Sequence, residues 1–284
     1  MARSFWVAAV ILGLVGGTGC GTAPKEERKI WEQVQIGDIA PTGRKGDQDK
    51  ARFLATVQME VRILEVPGPN VAQLDDLWRL LSPKSVFMTS YNAFKDNAFR
   101  VKAGRVEASE KIQRALAEAG AQKTATLVLP IPADDEGDLP IADLPTGRTI
   151  AFVGNDLSSQ TVTVGPGQLV LRLRAEPIPW ARGVCKIIAY PTYTLPTNSA
   201  IPQLQMMARK GEFYFPPAAF AAQMAPGDLV VLGPDCYTGE QLTLGGLFFN
   251  NLQGRLFFDP TRPDPPEQKP AARVYILICR SISD

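Results

Sequence analysis

Residues Ser159 to Pro196 read SQTVTVGPGQLVLRLRAEPIPWARGVCKIIAYPTYTLP, two apolar, β-rich runs on either side of a Pro-rich break. In the first run Leu169, Leu171 and Leu173 fall on one face and Gln168, Arg172 and Arg174 on the other, the period of two that marks a strand with one wet side. The second run, Val184 to Thr194, is rich in β-branched and aromatic residues. Pro191 has no N–H to give to a ladder, which argues for an edge or a bulge at that point. Strands that alternate in this way build antiparallel sheets, so the stretch predicts a sheet wall and not a catalytic pocket.

Towards the C-terminus β signals dominate from Thr149: 149–153, 160–164, 168–174, 184–190, 212–215, 228–232, 254–258 and 274–279. Only Pro217 to Met224 reads as helical. Short strands separated by Pro and Gly turns predict a β-rich region over 149–284, an antiparallel sheet, sandwich or barrel-like domain. Residues 259–270, DPTRPDPPEQKP, predict an exposed Pro-rich loop.

Towards the N-terminus, Leu54 to Val66 alternates cleanly, with Val57, Met59, Val61 and Ile63 on one face and Gln58, Glu60 and Arg62 on the other. Pro67-Gly68-Pro69 stops that strand. Asn70 then offers a helix N-cap with Gln73 three residues on, and Leu74, Leu77, Trp78 and Leu81 form an apolar stripe that ends at Ser82-Pro83. Ser85 to Val106 predicts short strands joined by a turn around Lys95-Asp96-Asn97. A second helix is expected from an N-cap at Ser109, with Ile112, Ala115, Leu116 and Ala119 on one face and Gly120 as its stop. A strand over Thr124 to Pro130 follows. The fold class is therefore α+β: a small α+β module over 51–131, a Pro/Gly/acidic linker over 132–148, and the β-rich domain over 149–284.

Lys and Arg number 30 against 29 Asp and Glu, and a net charge of +1 gives no field to recruit nucleic acid. The sequence has no histidine, which removes the commonest general base and the commonest zinc ligand. With no paired acids outside expected loops, the chain is read as not an enzyme and as needing no cofactor. Asp134, Asp135, Glu136 and Asp138 lie close together, but their spacing is not that of a calcium loop, so a solvated linker without metal is expected. A second reading makes the chain a binding module that holds a small ligand, peptide or glycan between its two halves. Trp180, Tyr190, Tyr193, Phe213 and Tyr214 are the aromatic candidates for it.

Met1 to Cys20 has the build of a signal peptide: Arg3 at the start, the apolar run Phe5 to Val15, then small residues. The apolar run is too short to span a membrane as a helix. Residues 21–50 are polar and charged and read as a tether, with Trp31 within it. Gly17-Thr18-Gly19-Cys20 resembles the lipobox of bacterial lipoproteins, with Gly17 where Leu is usual. The resemblance implies acylation of Cys20 and, with Gly21 and not Asp after it, anchoring in the outer membrane facing the periplasm. Of Cys185, Cys236 and Cys279, two can pair in an oxidising envelope or all can stay as buried thiols, and the sequence sets no connectivity.

Several segments, taken in order, resemble the C-terminal β-domain of bacterial secretins, the outer-membrane pore proteins of type II and type III secretion systems and type IV pili. They are Val57 to Val66, Thr161 to Pro179, Pro226 to Gly233, Leu244-Gly245-Gly246-Leu247-Phe248, and Val274 to Ile282. The Val-Pro-x-Leu-Gly stretch that precedes the Leu-Gly-x-Leu-Phe motif in that family is missing here. The resemblance implies a structural or assembly component of the envelope whose partners are the membrane, through its lipid anchor, and other envelope proteins or further copies of itself. It also implies that Leu169, Leu171 and Leu173 face lipid or sheet core while Arg172 and Arg174 face water.

Overall fold

A computed structural model describes residues 56–132, 135–178, 181–195, 210–257 and 267–283. The signal peptide, Cys20, the tether with Trp31, Asp134 and Trp180 lie outside the described residues. The strands, in chain order, are β1 (Thr56–Pro67), β2 (Val86–Met88), β3 (Phe99–Arg105), β4 (Gln122–Pro132), β5 (Glu136–Leu144), β6 (Arg148–Val153) and β7 (Ser159–Val164). They continue with β8 (Gly167–Pro177), β9 (Cys185–Thr194), β10 (Phe213–Tyr214), β11 (Phe220–Met224), β12 (Asp228–Pro234), β13 (Asn250–Phe257) and β14 (Glu267–Ser283). The helices are α1 (Asp75–Leu80), α2 (Tyr91–Asp96), α3 (Ser109–Glu118) and α4 (Leu244–Phe249).

The alternation read in β1 decides where that strand goes. Val57, Met59 and Val61 are buried on one face, and β1 lies between β14 and β4 in a sheet of order β3-β12-β14-β1-β4, here called sheet A, with β13 also paired to β14. A second sheet, sheet B, has the order β2-β11-β9-β8-β5, with β10 also on β9. Every strand pairing in both is antiparallel. Leu169, Leu171 and Leu173 of β8 meet Val61, Val230 and Leu277 of sheet A in one shared core. Burying each of those leucines contributes about 2 kcal/mol before chain entropy is counted. The other face of sheet A carries Val231, Val274 and Ile276, and α1 and α3 cover it with Leu77, Trp78, Ile112 and Leu116. The described residues are thus β-rich and stacked as helices, sheet A and sheet B. The hairpin β6–β7 stands apart as a two-stranded sheet, held by Phe152 against Phe213 and Phe215.

Several expectations change once the sheets are seen. Arg52–Asp284 is one compact unit, strands before and after residue 132 share sheet A, and the segment read as a linker contains β5. Pro67-Gly68-Pro69 leads into a 3₁₀ turn, so the α-helix starts at Asp75 and Asn70 instead donates from Nδ2 to the Ala119 carbonyl at 3.1 Å. Ser109 is the first residue of α3 and makes no side-chain cap. The expected turn at Lys95-Asp96-Asn97 is the end of α2, which Ser90 caps by accepting from Ala93 N.

Pro217 to Met224, expected as a helix, is a 3₁₀ turn followed by β11, because Phe220, Ala222 and Met224 bury alternately and the strand pairs with β9 and β2. Residues 267–270 of the expected Pro-rich loop already belong to β14. Pro191 lies inside a central strand, not at an edge. It is tolerated because β11 pairs with β9 up to Ala189 and β10 only from Thr192, so the missing donor falls where that neighbour is interrupted.

Candidate assembly surface

Hydrogen bonding along a sheet stops at its edges, so the edges show what remains to be paired. In sheet A, the free side of β3 is bridged by Ser82, whose N and O both bond Ala103 at 2.8 Å. The other edge, β4, pairs with β1 alone among the described residues. Thr124 is the extra residue of a bulge opposite Ile63–Leu64, and its hydroxyl donates to the Ile63 carbonyl at 2.9 Å. Pro130 and Pro132 end the other side of the strand. Between them runs Ala125-Thr126-Leu127-Val128-Leu129, regular, free of proline and, among the described residues, unpaired on its outer side.

The side chains of that run are not those of a protected edge. Leu127, opposite Val61, points to the sheet B side and is 37% exposed. Val128, opposite Glu60, points to the helix side and is 62% exposed. Leu129 packs partly against the shared core. The strand therefore offers apolar contact on both faces beside an unpaired backbone.

A groove of about 510 Å³ lies next to this edge on the helix side, lined by Glu60, Arg62, Gln113, Leu116, Lys123 and Thr126 among others. It runs between α3, which contributes Gln113, Leu116 and Ala117, and the β1–β4 side of sheet A. Glu60, buried in its floor, accepts from Arg62 Nε at 2.6 Å and Arg280 Nε at 2.6 Å. Burial alone would raise its pKa, but the hydrogen bonds from Arg62 and Arg280 outweigh that and hold the carboxyl below its ordinary range.

A second polar cluster sits on the outer face of sheet B. Arg172, expected to face water, is only 9% exposed. Its guanidinium grips Asp138 through two bonds of 2.8 and 2.9 Å and Glu212 through two of 2.6 and 3.0 Å, with Glu136 at 3.5 Å. Those carboxylates push the arginine pKa up, so the charge is permanent. Tyr190 donates to Glu136 at 2.8 Å, and burial followed by that carboxylate pushes the phenol up to about 12.

The acids singled out in the sequence thus resolve as a cation clamp: Glu136 and Asp138 face Arg172, while Asp135 bonds the backbone N of Glu136. The described aromatic candidates fall on two faces of sheet B. Tyr193 lies in the shared core with its hydroxyl donating to the Pro166 carbonyl, and Phe213 meets Phe152 edge to face. Tyr190 and Tyr214 pack together on the outer face of sheet B. Leu169, Leu171 and Leu173 face the core between the sheets. Glu60, Glu212 and the β4 edge carried no signal that sequence reasoning used, although three successive apolar residues in Leu127-Val128-Leu129 break the alternation of a strand with a wet side. Among the described residues no group of three or more His, Cys, Asp or Glu side chains is placed to hold a metal ion, and no helix is long and apolar enough to cross a membrane.

No protein-family model matches this chain, and no curated protein does. Weak structural neighbours are found among solved structures of the secretin InvG from the Salmonella SPI-1 type III secretion injectisome. A near-atomic cryo-EM structure of InvG is 12% identical with a TM-score of 0.19, over 81% of this chain and 63% of that one. The InvG secretin domain β-barrel is 10% identical with a TM-score of 0.20, over 81% and 63%. An atomic model of the basal body proteins InvG, PrgH and PrgK gives 12% identity and a TM-score of 0.19, over 81% and 45%. This chain spans less than two thirds of the length of the InvG chains it matches. Superpositions this loose decide nothing about function, which has to be read from the chain's own geometry.

Proposed function

We propose that this chain is a non-enzymatic, secretin-like structural component of the bacterial cell envelope that assembles with further copies of itself at the β4 edge of sheet A. The observation that carries the reading is the run 125–129, an unpaired backbone edge with Leu127 and Val128 exposed on opposite faces. Monomeric proteins blunt such edges with charge, proline or a covering segment, and here those devices flank the run without entering it. An incoming strand completes the backbone hydrogen bonds, and its side chains on the helix side fall into the groove beside Glu60. The charged clusters support a structural reading, because the acids of the Arg172 cluster and Glu60 already have arginine partners.

In this proposal acyl chains on Cys20 hold the assembly in the outer membrane, facing the periplasm, as part of a secretion or pilus apparatus. The test is sedimentation velocity of the detergent-extracted full chain together with negative-stain microscopy. Discrete oligomers or rings are expected; a sharp monomer at tens of micromolar sinks the assembly reading. Mass spectrometry of the mature N-terminus separately tests acylation at Cys20.

A further inference from the structure

Cys185 and Cys279 belong to different sheets yet meet in the core the sheets share. Cys185 opens β9 in sheet B, pairs with Met224 of β11, and has its Sγ 3.7 Å from the Met224 carbonyl oxygen. Cys279 lies in β14 of sheet A, and its carbonyl accepts from Gly227 N at 2.9 Å. Met224 and Gly227 bound the short turn that takes the chain from β11 in sheet B to β12 in sheet A. One turn therefore ties down both cysteines at the point where the sheets come together. Both are free thiols buried in that one core, where each shifts the other's titration.

We infer that Cys185 and Cys279 are the disulfide-forming pair of this chain, a cross-link that fastens sheet A to sheet B, with Cys236 left as an exposed thiol. The inference does not depend on how the protein assembles. The reaction is thiol–disulfide exchange with a disulfide donor, an oxidised dithiol protein or oxidised glutathione. One cysteine thiolate attacks a donor sulfur, the donor S–S bond breaks, and the first donor thiol leaves with the proton the cysteine has lost. The other cysteine then attacks the chain's own sulfur in the mixed disulfide, the Sγ–Sγ bond forms, and the second donor thiol leaves with the second proton. The cysteine pair loses two electrons and the donor gains them.

In the folded chain the neighbouring Cys185 thiol lowers the Cys279 thiol pKa, while the same contact and then burial raise that of Cys185. Burial confines the exchange to the folding chain, before the sheets close, and afterwards shields the bond from reductants. Cys236 stands outside this site, and burial followed by the Asp235 carboxylate raises its thiol pKa.

The test refolds the full chain in a reduced/oxidised glutathione buffer, alkylates it under denaturing conditions, and maps the peptides without reduction. A linked pair containing Cys185 and Cys279, with Cys236 alkylated, is expected. Because the bond closes about 95 residues, the refolded protein should melt roughly 5–15 °C above the same sample refolded in reductant. A C236S variant should keep that difference. Alkylation of both Cys185 and Cys279, or a link from either to Cys236 or Cys20, overturns the inference. That readout uses the unaltered protein and so stands even where C185A/C279A fails to fold.

Discussion

Strands β4 and β5 follow one another in the chain and each ends a sheet, yet their outer sides are built differently. In β5, Pro140 removes a donor and a bulge displaces Ile141, whose carbonyl is taken by Arg273 Nη1 from sheet A at 2.8 Å. Glu136 and Asp138 put charge along the same strand, and Arg172 holds them in place. In β4 the bulge and the prolines lie at the ends, and the middle is apolar on both faces. Two edges of similar length made by the same stretch of chain, one shut and one open, place the pairing surface on sheet A.

The largest expected effect falls on the shut edge. Arg172→Met removes the cation from a site that keeps Asp138, Glu212 and Glu136 close together. Breaking a buried ion pair costs 3–5 kcal/mol, and the low end, about 3 kcal/mol, applies because Asp138 still reaches water. Thermal unfolding should shift down by roughly 6–12 °C. The oligomeric state at a temperature where the variant is folded should not change, since β5 is not the pairing edge.

The open edge is broken by L127K together with V128K. Lysines on both faces of an edge strand repel an added strand without disturbing a core that neither side chain fills. Association should weaken at least 100-fold, about 2.7 kcal/mol, in sedimentation or light scattering, with monomer stability within about 0.5 kcal/mol of the parent. Unchanged association would move the interface off β4.

A smaller effect concerns how β5 is held. Tyr190→Phe removes the hydroxyl that donates to Glu136 and should cost about 1 kcal/mol in urea unfolding. The same residue gives an alkaline signature. Tyr190 and the fully buried Tyr275 keep their protons until about pH 12 in the folded protein but lose them near pH 10 when unfolded. A raised folded pKa gives stability that is present below pH 10 and lost as pH rises towards 12, so the folded state should weaken across that window, less steeply in Y190F. Glu60 works in the opposite sense: its lowered pKa gives stability that disappears on acidification below the ordinary glutamate range.

How much of this was legible in the sequence depends on the range of the interactions. The Leu/Arg alternation of β8 and the Val/Met alternation of β1 mark strands and inner faces, because period and burial are local. Phe220 to Met224 misleads because alanine and methionine favour helix, and only pairing with Ile187 and Phe87 across the sheet turns the segment into a strand. The site was least legible. Arg172 meets Glu212 across 40 positions and Asp138 across 34, and no spacing rule brings them together. An open edge is a property of strand order, which puts β14 beside β1 and leaves β4 last. Helix α4 hid for another reason: Leu-Gly-Gly-Leu-Phe-Phe is poor in helix formers. It is buried on every side, and Gly245 lets it lie against the Asn97 backbone where a Cβ would collide.

The smallest effect is the sharpest comparison of the two edges. Pro140 is the one proline of β5 and stands just before the bulge at Ile141. Pro140→Val should leave stability within about 0.5 kcal/mol, since the side chain is exposed and β-branched residues suit a strand. If proline is what keeps β5 shut, the variant gains a second weak pairing edge and its oligomers grow beyond those of the parent. If the bulge and the Arg172 clamp suffice, the size distribution stays as it was. Combining Pro140→Val with L127K and V128K separates the two: renewed association in the triple variant assigns the closure to the proline, and a persistent monomer assigns it to the bulge and the ion pairs.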